Sequence, residues 1–364
     1  MEKKLEDLIE HNLPEDYEEY IKGFEDFTDD PIYASPRMRW VESFKWVDQR
    51  SKENYTSGHA DKWFVRGNVS LFRDLIKELS TNQNSSFETC YEKEEIINGE
   101  IPEYFSMLLK KPDSKFELDV DVFASHILNY FEVPVAFNRR FDRALPGYPT
   151  ENYLMSVDVI RSNEKLVLLN EVIPSLAGVE IARFQFDGLK NTLDLVGGYL
   201  KKYLDEQGIK YTDNEIEDYK KYLANSILIR RVWLGDYDFR NGNAGILINI
   251  KNKTFRALPN FDMEKSFSSP RPVINYEVLE QFYDYDSEMY DGFTERMFEF
   301  LSENKKGERP CMRMVDKLIK DDAIKNSMVL AIYNVAGEIW QISNQIRKDR
   351  NEAEKNAAEK EILT

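Results

Sequence analysis

The segment Gly235-Asp236-Tyr237-Asp238-Phe239-Arg240-Asn241-Gly242-Asn243-Ala244-Gly245-Ile246-Leu247-Ile248 decides the fold that we predict for this chain. It places two Asp, two Asn and three Gly between two apolar stretches. Upstream, residues 214–234 carry apolar side chains at helical spacing, and downstream, residues 246–250 are an apolar run typical of a strand. A second strand is predicted at 254–258, and Asp262 follows it. We therefore predict a helix, a polar loop, a β-hairpin and an Asp, in that order.

A protein kinase presents its catalytic groups in this same order of elements. There, a catalytic Asp is followed five residues later by a metal-binding Asn, and a second metal-binding Asp comes after a hairpin. Phosphoryl transfer depends on positioning and charge neutralisation more than on covalent catalysis. One carboxylate orients the attacking hydroxyl, while an amide oxygen and a second carboxylate suit Mg²⁺, which prefers hard oxygen ligands. Polar clusters between apolar runs are usually ordinary turns, so the hypothesis depends on the flanking helix and hairpin.

Two pairs of residues in the loop have the five-residue spacing, Asp236 with Asn241 and Asp238 with Asn243. We favour Asp238 and Asn243, because Asn243 lies directly before the first hairpin strand and would be held rigidly there. Asn241 and Gly242 are typical of the bend of a loop, since both residue types tolerate a positive φ.

The pattern Gly235-x-x-Asp238-x-x-x-x-Asn243-x-Gly245, followed by Leu258-Pro259-x-Phe261-Asp262, resembles the catalytic core of the HipA-like kinases. These are bacterial serine/threonine kinases, many of them toxins of toxin–antitoxin pairs, and their usual pattern is Gly-x-x-Asp-x-His-x-x-Asn. The resemblance implies that Asp238 is the catalytic base and that Asn243 and Asp262 are Mg²⁺ ligands. The family's His falls on Arg240 here, and an Arg can still contact the loop backbone or a phosphate.

A kinase also needs a strand lysine for the α- and β-phosphates, braced by an acid on the next helix. Residues 104–112 are typical of a strand that ends in Lys110 and Lys111. The HipA-like pattern favours Lys110, and Lys111 is the alternative, because one residue of register moves a side chain to the other face of a sheet. A helix is predicted at about 120–131, and Asp121 near its start is our choice of bracing acid. An acid at a helix start also favours the helix dipole, whatever its other role.

Two further segments are candidates for binding the nucleotide. Residues 81–89 are polar, and HipA-like kinases often use a serine-containing loop at this position, so Ser85 and Ser86 are expected to contact the ATP phosphates. The apolar run at 153–160 is expected to be the hinge strand whose backbone meets the adenine, with Met155 to Asp158 as the contact stretch.

Composition excludes several classes of function. The chain has 364 residues, 42% hydrophobic and 13% aromatic, which is ample for a globular core. Its net charge of -17 argues against general binding to nucleic acids or anionic membranes. Two cysteines and three scattered histidines predict neither a disulfide framework nor a zinc site, and a reducing cytoplasm is expected. No signal peptide and no membrane-spanning segment of about 20 apolar residues are expected.

We therefore predict an α+β, two-lobed, protein-kinase-like fold with a mixed, sheet-containing N-lobe and a largely helical C-lobe. The expected domains are an N-terminal extension (1–79), an N-lobe (80–160), and a C-lobe (161–364) with its catalytic loop at 235–248. The expected cofactors are ATP and Mg²⁺. The resemblance implies a protein Ser/Thr substrate and a cognate antitoxin. Rival hypotheses are a small-molecule kinase, since fold does not fix function, and a pseudokinase that acts as a regulatory binding module.

Overall fold

The computed structural model describes residues 40–42, 62–68, 72–98, 104–141, 153–161, 163–267 and 274–362. They form a mixed α+β structure, as predicted, and divide into two compact units. Unit 1 contains the described residues up to Leu168 together with Gly245–Glu264. Unit 2 contains Leu169–Ala244 and the described residues from Lys265 onward. Sheets therefore characterise unit 1, whereas unit 2 is helical.

Unit 1 contains every strand that the described residues form. The strands are β1 (Trp40–Glu42), β2 (Lys62–Asn68), β3 (Phe87–Glu88), β4 (Tyr104–Lys110), β5 (Val135–Ala136), β6 (Asn138–Phe141), β7 (Tyr153–Val157), β8 (Glu164–Leu168), β9 (Gly245–Asn249) and β10 (Thr254–Ala257). The helices are α1 (Arg73–Thr81), α2 (Lys93–Ile97) and α3 (Lys115–Tyr130). One antiparallel sheet has the order β1-β2-β4-β7-β6, a second has the order β10-β9-β8, and β3 pairs with β5 in parallel.

The hairpin expected after the polar loop is present as β9 and β10, and the lysine strand is present as β4. The helix expected at 120–131 begins earlier, at Lys115, because the Ser114 side chain caps it by accepting a hydrogen bond from the Glu117 amide at 3.2 Å. Asp121 consequently lies inside α3 rather than near its start. Of the N-terminal extension expected at 1–79, the structure describes residues 40–42, 62–68 and 72–79, and the rest lies outside the described residues.

The compact units differ from the expected domains at both boundaries. β2 pairs with β4 along its whole length, so the sheet includes residues upstream of position 80. The hairpin strand β9 pairs with β8, from Leu168 opposite Gly245 to Glu164 opposite Asn249. This pairing places residues 164–168 and 245–264 in unit 1, although sequence order assigned them to the C-lobe.

Gly245 opens β9 at a point where two backbones come close together. A Cβ at this position would lie 2.3 Å from the Val167 carbonyl oxygen and 2.9 Å from the Leu168 Cα. Both atoms belong to the backbone of β8 and cannot move away independently of the strand. Glycine is therefore required here by the approach of the neighbouring strand.

Gly245→Ala is expected to lower the free energy of unfolding by about 3 kcal/mol, because overpacking against backbone cannot be relieved by a rotamer change. Urea denaturation would measure the loss. Gly242→Ala is a matched control, since nothing lies within 4 Å of the position that a Cβ would take at Gly242. Equal stability of the two variants would contradict the close approach of β8 and β9.

Unit 2 is helical in its described residues. Its helices are α4 (Leu169–Val172), α5 (Phe184–Asp187), α6 (Leu189–Glu206), α7 (Asp213–Ile227), α8 (Tyr276–Tyr285), α9 (Ser287–Leu301), α10 (Pro310–Leu318) and α11 (Asp322–Ile362). α7 starts with a capping box, in which Thr212 and Glu215 bond each other's backbone amides. No helix among the described residues has an apolar stretch long enough to cross a membrane.

The helix predicted to continue to residue 234 changes its winding after Ile227. Residues Leu228–Trp233 form a π-helical turn, and Trp233 at its end is fully buried against Phe293 and Phe298. Wide turns of this kind are rare and often occur at functional sites. Here the wide turn leads directly into the polar loop.

Candidate active site

Asp236 anchors the polar loop to the π-helical turn. Its carboxylate accepts hydrogen bonds from Arg230 Nε at 2.8 Å and Arg230 Nη2 at 2.6 Å. Both side chains are fully buried, and the Arg230 guanidinium also lies 4.3 Å from the centre of the Phe239 ring. Arg231 adds hydrogen bonds to the carbonyl oxygens of Asp236 and Tyr237. Asp236 therefore holds the loop in place and is not exposed to a substrate.

Asn241 is the second buried anchor of the loop. Its side chain accepts a hydrogen bond from the Ile181 amide at 3.0 Å and donates one to the Val179 carbonyl at 2.8 Å. Its own amide donates to Glu180 Oε1 at 2.8 Å. The expected bend at Asn241 and Gly242 is a 3₁₀ turn (Asn241–Asn243), and among the described residues of this loop the positive φ belongs to Gly235, at 65°.

Asp238 and Asn243 form the accessible pair of the loop. Asn243 Nδ2 donates to the Asp238 carbonyl at 2.9 Å and to Asp238 Oδ2 at 3.3 Å. The Asp238 amide donates to Asp236 Oδ1 at 3.1 Å, so the buried anchor also orients the accessible residue. The Asp238 side chain is 33% exposed. Of the two pairs with the five-residue spacing, Asp236 with Asn241 is buried in structural contacts, and Asp238 with Asn243 is partly exposed to solvent.

Arg240, which corresponds to the His of the HipA-like pattern, contacts the Asp238 carboxylate. Its Nε lies 3.3 Å from Asp238 Oδ1, and its side chain is 63% exposed. An ion pair as exposed as this one is weak and easily exchanged. Arg240 can therefore leave Asp238 when another group approaches.

In unit 1, Lys110 forms ion pairs with two carboxylates that lie far from it in sequence. Its Nζ contacts Asp262 Oδ1, and it lies 2.5 Å from Glu264 Oε2. Burial by itself would lower the pKa of Lys110, but Asp262, Glu264 and Asp121 together raise it above its ordinary value. Lys110 is therefore a buried, fully charged ammonium group. Lys111 follows the end of β4 and is half-buried.

Asp262 has a strained backbone. Its φ is +56°, in the left-handed region that residues other than glycine rarely adopt. Such conformations cluster at functional sites, where the surrounding structure stabilises them. Asp121 on α3 contributes to this stabilisation, because its Oδ2 accepts the Met263 amide at 3.3 Å. Its Oδ1 accepts Asn138 Nδ2 at 2.7 Å. Lys110, Asp121 and Asp262, which the sequence proposed separately, thus belong to one cluster.

The segment with Ser85 and Ser86 surrounds the side chain of Asn129. Asn129 Oδ1 accepts hydrogen bonds from the Ser85 hydroxyl at 3.0 Å, the Ser86 amide at 2.7 Å and the Phe87 amide at 3.1 Å. Both serines are buried. A phosphate group at this loop would have to take the place of the Asn129 amide oxygen to reach these donors.

Asn129→Ala is expected to leave these three donors without their acceptor and to loosen residues 85–87, because an unsatisfied buried donor costs about 1–3 kcal/mol. Hydrogen exchange followed by mass spectrometry should show faster exchange of the Ser86 and Phe87 amides, on the order of tenfold. Asn84→Ala, which changes an exposed Asn of the same segment, is the control. Unchanged exchange in Asn129→Ala would contradict the contacts.

Met155 and Asp158 lie elsewhere in unit 1. Met155 is buried in β7, opposite Leu109 and Arg139. Asp158 Oδ1 accepts the Ile160 amide at 3.0 Å. The Val159 carbonyl accepts Arg256 Nη2 at 2.7 Å. Within the stretch expected to meet adenine, β7 pairs with β4 on one side and with β6 on the other, and the Val157 amide donates to the Phe137 carbonyl at 3.0 Å. Backbone groups of this stretch are thus already bonded within the protein.

Sequence reasoning missed several residues that shape these groups. They are Arg230, Arg231, Glu180, Asn129 and Glu264. The charged pair in the π-helical turn carried a signal, because two adjacent Arg residues interrupt an otherwise apolar segment, where an acid must compensate them. Glu264 was also visible as a second acid two residues after Asp262. Asn129 carried none, since its partners in the serine segment lie 42 to 44 residues away.

Asn243 and Asp262 fit Mg²⁺ because of the chemistry of their oxygen atoms. No cluster of three or more His, Cys, Asp or Glu side chains that could hold a metal ion exists among the described residues. Mg²⁺ does not need one, because it takes one or two carboxylates from the protein and completes its shell with water and phosphate oxygens. The partly exposed Asp262 carboxylate and the Asn243 amide oxygen are ligands of the kind that Mg²⁺ prefers.

Comparison with known proteins gives a match by structure and none by sequence. No family model matches the chain, and no curated protein matches its sequence. A solved structure described as the crystal structure of a Helicobacter pylori proinflammatory kinase, CtkA, is similar with a TM-score of 0.41 and 13% sequence identity. The similarity covers 67% of this chain and 91% of that chain.

Proposed function

We propose that this protein is a kinase that uses ATP and Mg²⁺ to phosphorylate a protein Ser or Thr hydroxyl. The observation that carries the proposal is the ion pair between Lys110 and Asp262, two residues 152 positions apart. The sequence assigned one to the nucleotide phosphates and the other to the metal, from separate motifs. Ordinary surface residues chosen from separate motifs have no physical reason to meet in one buried cluster.

In the proposed reaction, Asp238 orients the acceptor hydroxyl and accepts its proton. Its partial exposure and its hydrogen bonds from Asn243 keep it accessible and oriented. General-base catalysis requires both properties. The neighbouring acid, Asp236, is engaged by Arg230 and would only support this geometry.

Lys110 would bind the α- and β-phosphates, and Asn243 and Asp262 would hold the metal. Bound Mg²⁺ would supply neutralisation of the phosphate charge. Lys110 has three N–H donors, and its contacts with Asp262 and Glu264 leave it capacity for a phosphate oxygen. Ser85 and Ser86 remain our candidates for further phosphate contacts, provided that the Asn129 oxygen gives way.

Lys110→Met is expected to weaken binding of Mg·ATP at least about tenfold, since a charge-assisted hydrogen bond to phosphate is lost. Isothermal titration calorimetry would measure the affinity, and transfer from labelled ATP would measure activity. Lys111→Met, one residue further on, is the matched control and should bind as wild type does. Equal weakening by both variants would make Lys111 an equally good candidate and contradict the choice of Lys110. Absence of binding and transfer in the wild type would refute the proposed function.

A regulatory module that binds nucleotide without turnover is a second candidate. Two observations favour it: Arg240 contacts the carboxylate of the proposed base, and Asn129 occupies the donors of Ser86 and Phe87. Binding of Mg·ATP by the wild type without labelled phosphate on any added protein or on the chain itself would support this candidate over a kinase. A labelled metabolite in place of a labelled protein would instead indicate a small-molecule kinase.

A further inference from the structure

Two acids of unit 1 are candidates for the group that positions Lys110. Asp121 is on the helix that follows the lysine strand, where a kinase brace is expected. Glu264 lies two residues after Asp262, outside every motif described above. Their contacts distinguish them. Which acid positions Lys110 matters for binding of ATP, so this inference rests on the proposed function.

The two oxygens of Asp121 are engaged by other groups. Oδ1 accepts Asn138 Nδ2 at 2.7 Å, and Oδ2 accepts the Met263 amide at 3.3 Å. Asp121 is fully buried, as is Met263. These bonds fix the backbone next to the strained Asp262, so the role of Asp121 is to shape the 262–264 segment.

Glu264 contacts Lys110 directly. Its Oε2 lies 2.5 Å from Lys110 Nζ, and its side chain is 19% exposed. Asp262 is the other acid on Lys110, but under the proposed function its carboxylate is needed by the metal. When a cation engages Asp262, Lys110 loses part of that partner's charge. An acid that remains on Nζ would then keep the ammonium group directed and its burial compensated.

We infer that Glu264 is the positioning residue for Lys110, the acid that holds its ammonium group in place when Asp262 binds the metal. Glu264 acts through Lys110 and does not itself contact the nucleotide. It is placed by the turn after Asp262, and Asp121 maintains that turn through Met263. The bracing acid therefore comes from the segment of the metal ligand and not from the helix.

The test compares Glu264→Gln, Glu264→Asp and Asp121→Asn with the wild type in calorimetric binding of Mg·ATP and in the kinetics of phosphate transfer. We expect Glu264→Gln to raise Kd and KM for Mg·ATP on the order of tenfold, with a smaller change in kcat, and Glu264→Asp to restore part of the affinity. Asp121→Asn should weaken binding less than Glu264→Gln. Thermal unfolding of each variant checks that it is folded.

Several results would overturn the inference. Stronger weakening by Asp121→Asn would show that the helix acid is the brace. Tighter binding by Glu264→Gln would show that Glu264 competes with phosphate for Lys110. An equal loss in Glu264→Gln and Glu264→Asp, in kcat alone, would indicate a role other than positioning.

A double-mutant cycle separates failure of this inference from failure of the proposed function. If the wild type binds no nucleotide, the proposed function fails, and the cycle between Lys110→Met and Glu264→Gln in urea denaturation still tests the pair. Non-additive effects would support the Glu264–Lys110 pairing in solution, because a contact that exists couples the two substitutions. Additive effects would overturn the inference.

Discussion

Replacing Asp238 with asparagine is expected to slow phosphate transfer by about 10²–10⁴-fold, the range typical for loss of a general base. Asparagine keeps the shape of the side chain and an oxygen that can still accept the Asn243 hydrogen bond, but it cannot take a proton. Because the side chain is partly exposed, stability should change by no more than about 0.5 kcal/mol. Labelled ATP and mass spectrometry of the product would measure the loss.

The Asp262→Asn variant is the informative comparison for Asp238→Asn. It should also lose transfer, but its loss should be relieved in part by raising the Mg²⁺ concentration, because a weakened metal site still fills at high concentration. The loss in Asp238→Asn should not depend on Mg²⁺. Transfer at the wild-type rate in Asp238→Asn would exclude this residue as the base.

In contrast to Asp238→Asn, Asp236→Ala is expected to act mainly on stability. It should lower the free energy of unfolding by about 3–5 kcal/mol, because it leaves the buried Arg230 charge without its partner. Arg230 is completely buried, so water cannot replace the carboxylate. The substitution also removes the acceptor of the Asp238 amide. Urea denaturation monitored by tryptophan fluorescence would report the change, since Trp233 is buried at the end of the same turn.

Asp238→Ala, two residues further along, is the matched control for this loss, because it removes an acid that is partly exposed. A further variant, Arg230→Met combined with Asp236→Leu, should recover much of the stability, since apolar side chains of similar size can replace a buried ion pair. A loss below about 1 kcal/mol in Asp236→Ala would contradict a structural role for this pair.

The sequence predicted the parts of the structure that local patterns determine. β4, the hairpin β9–β10 and the α+β class follow from short apolar runs and turns, and all three are confirmed. The start of α3 was also readable, because Ser114-x-x-Glu117 is the pattern of a capping box. The unit boundaries were not readable, because they depend on which distant strand pairs with β8.

The candidate site likewise contains residues that local sequence patterns predict and residues that depend on tertiary packing. Asp238 and Asn243 could be chosen from their spacing together with the position of Asn243 directly before the hairpin strand, Lys110 from the resemblance to the HipA-like pattern, and Asp262 from its position after the hairpin. Asp236 and Asn241 have the same spacing, and their burial in structural contacts adds to the reasons for setting that pair aside. The contacts of Asn129 with the serine segment depend on tertiary packing, for which a single sequence carries no local signal. These site assignments remain predictions until the variants are measured.

The pairing of β8 with β9 has a consequence for the synthesis of this chain. The paired residues Leu168 and Gly245 are separated by the whole of unit 2's first segment, and such non-local pairing slows folding. On the ribosome, β8 emerges well before its partner and presents an unpaired strand edge, which is prone to aggregation. Fragments that end before Gly245 should share this exposed edge, so soluble production of the sheet-containing unit requires residues through the hairpin.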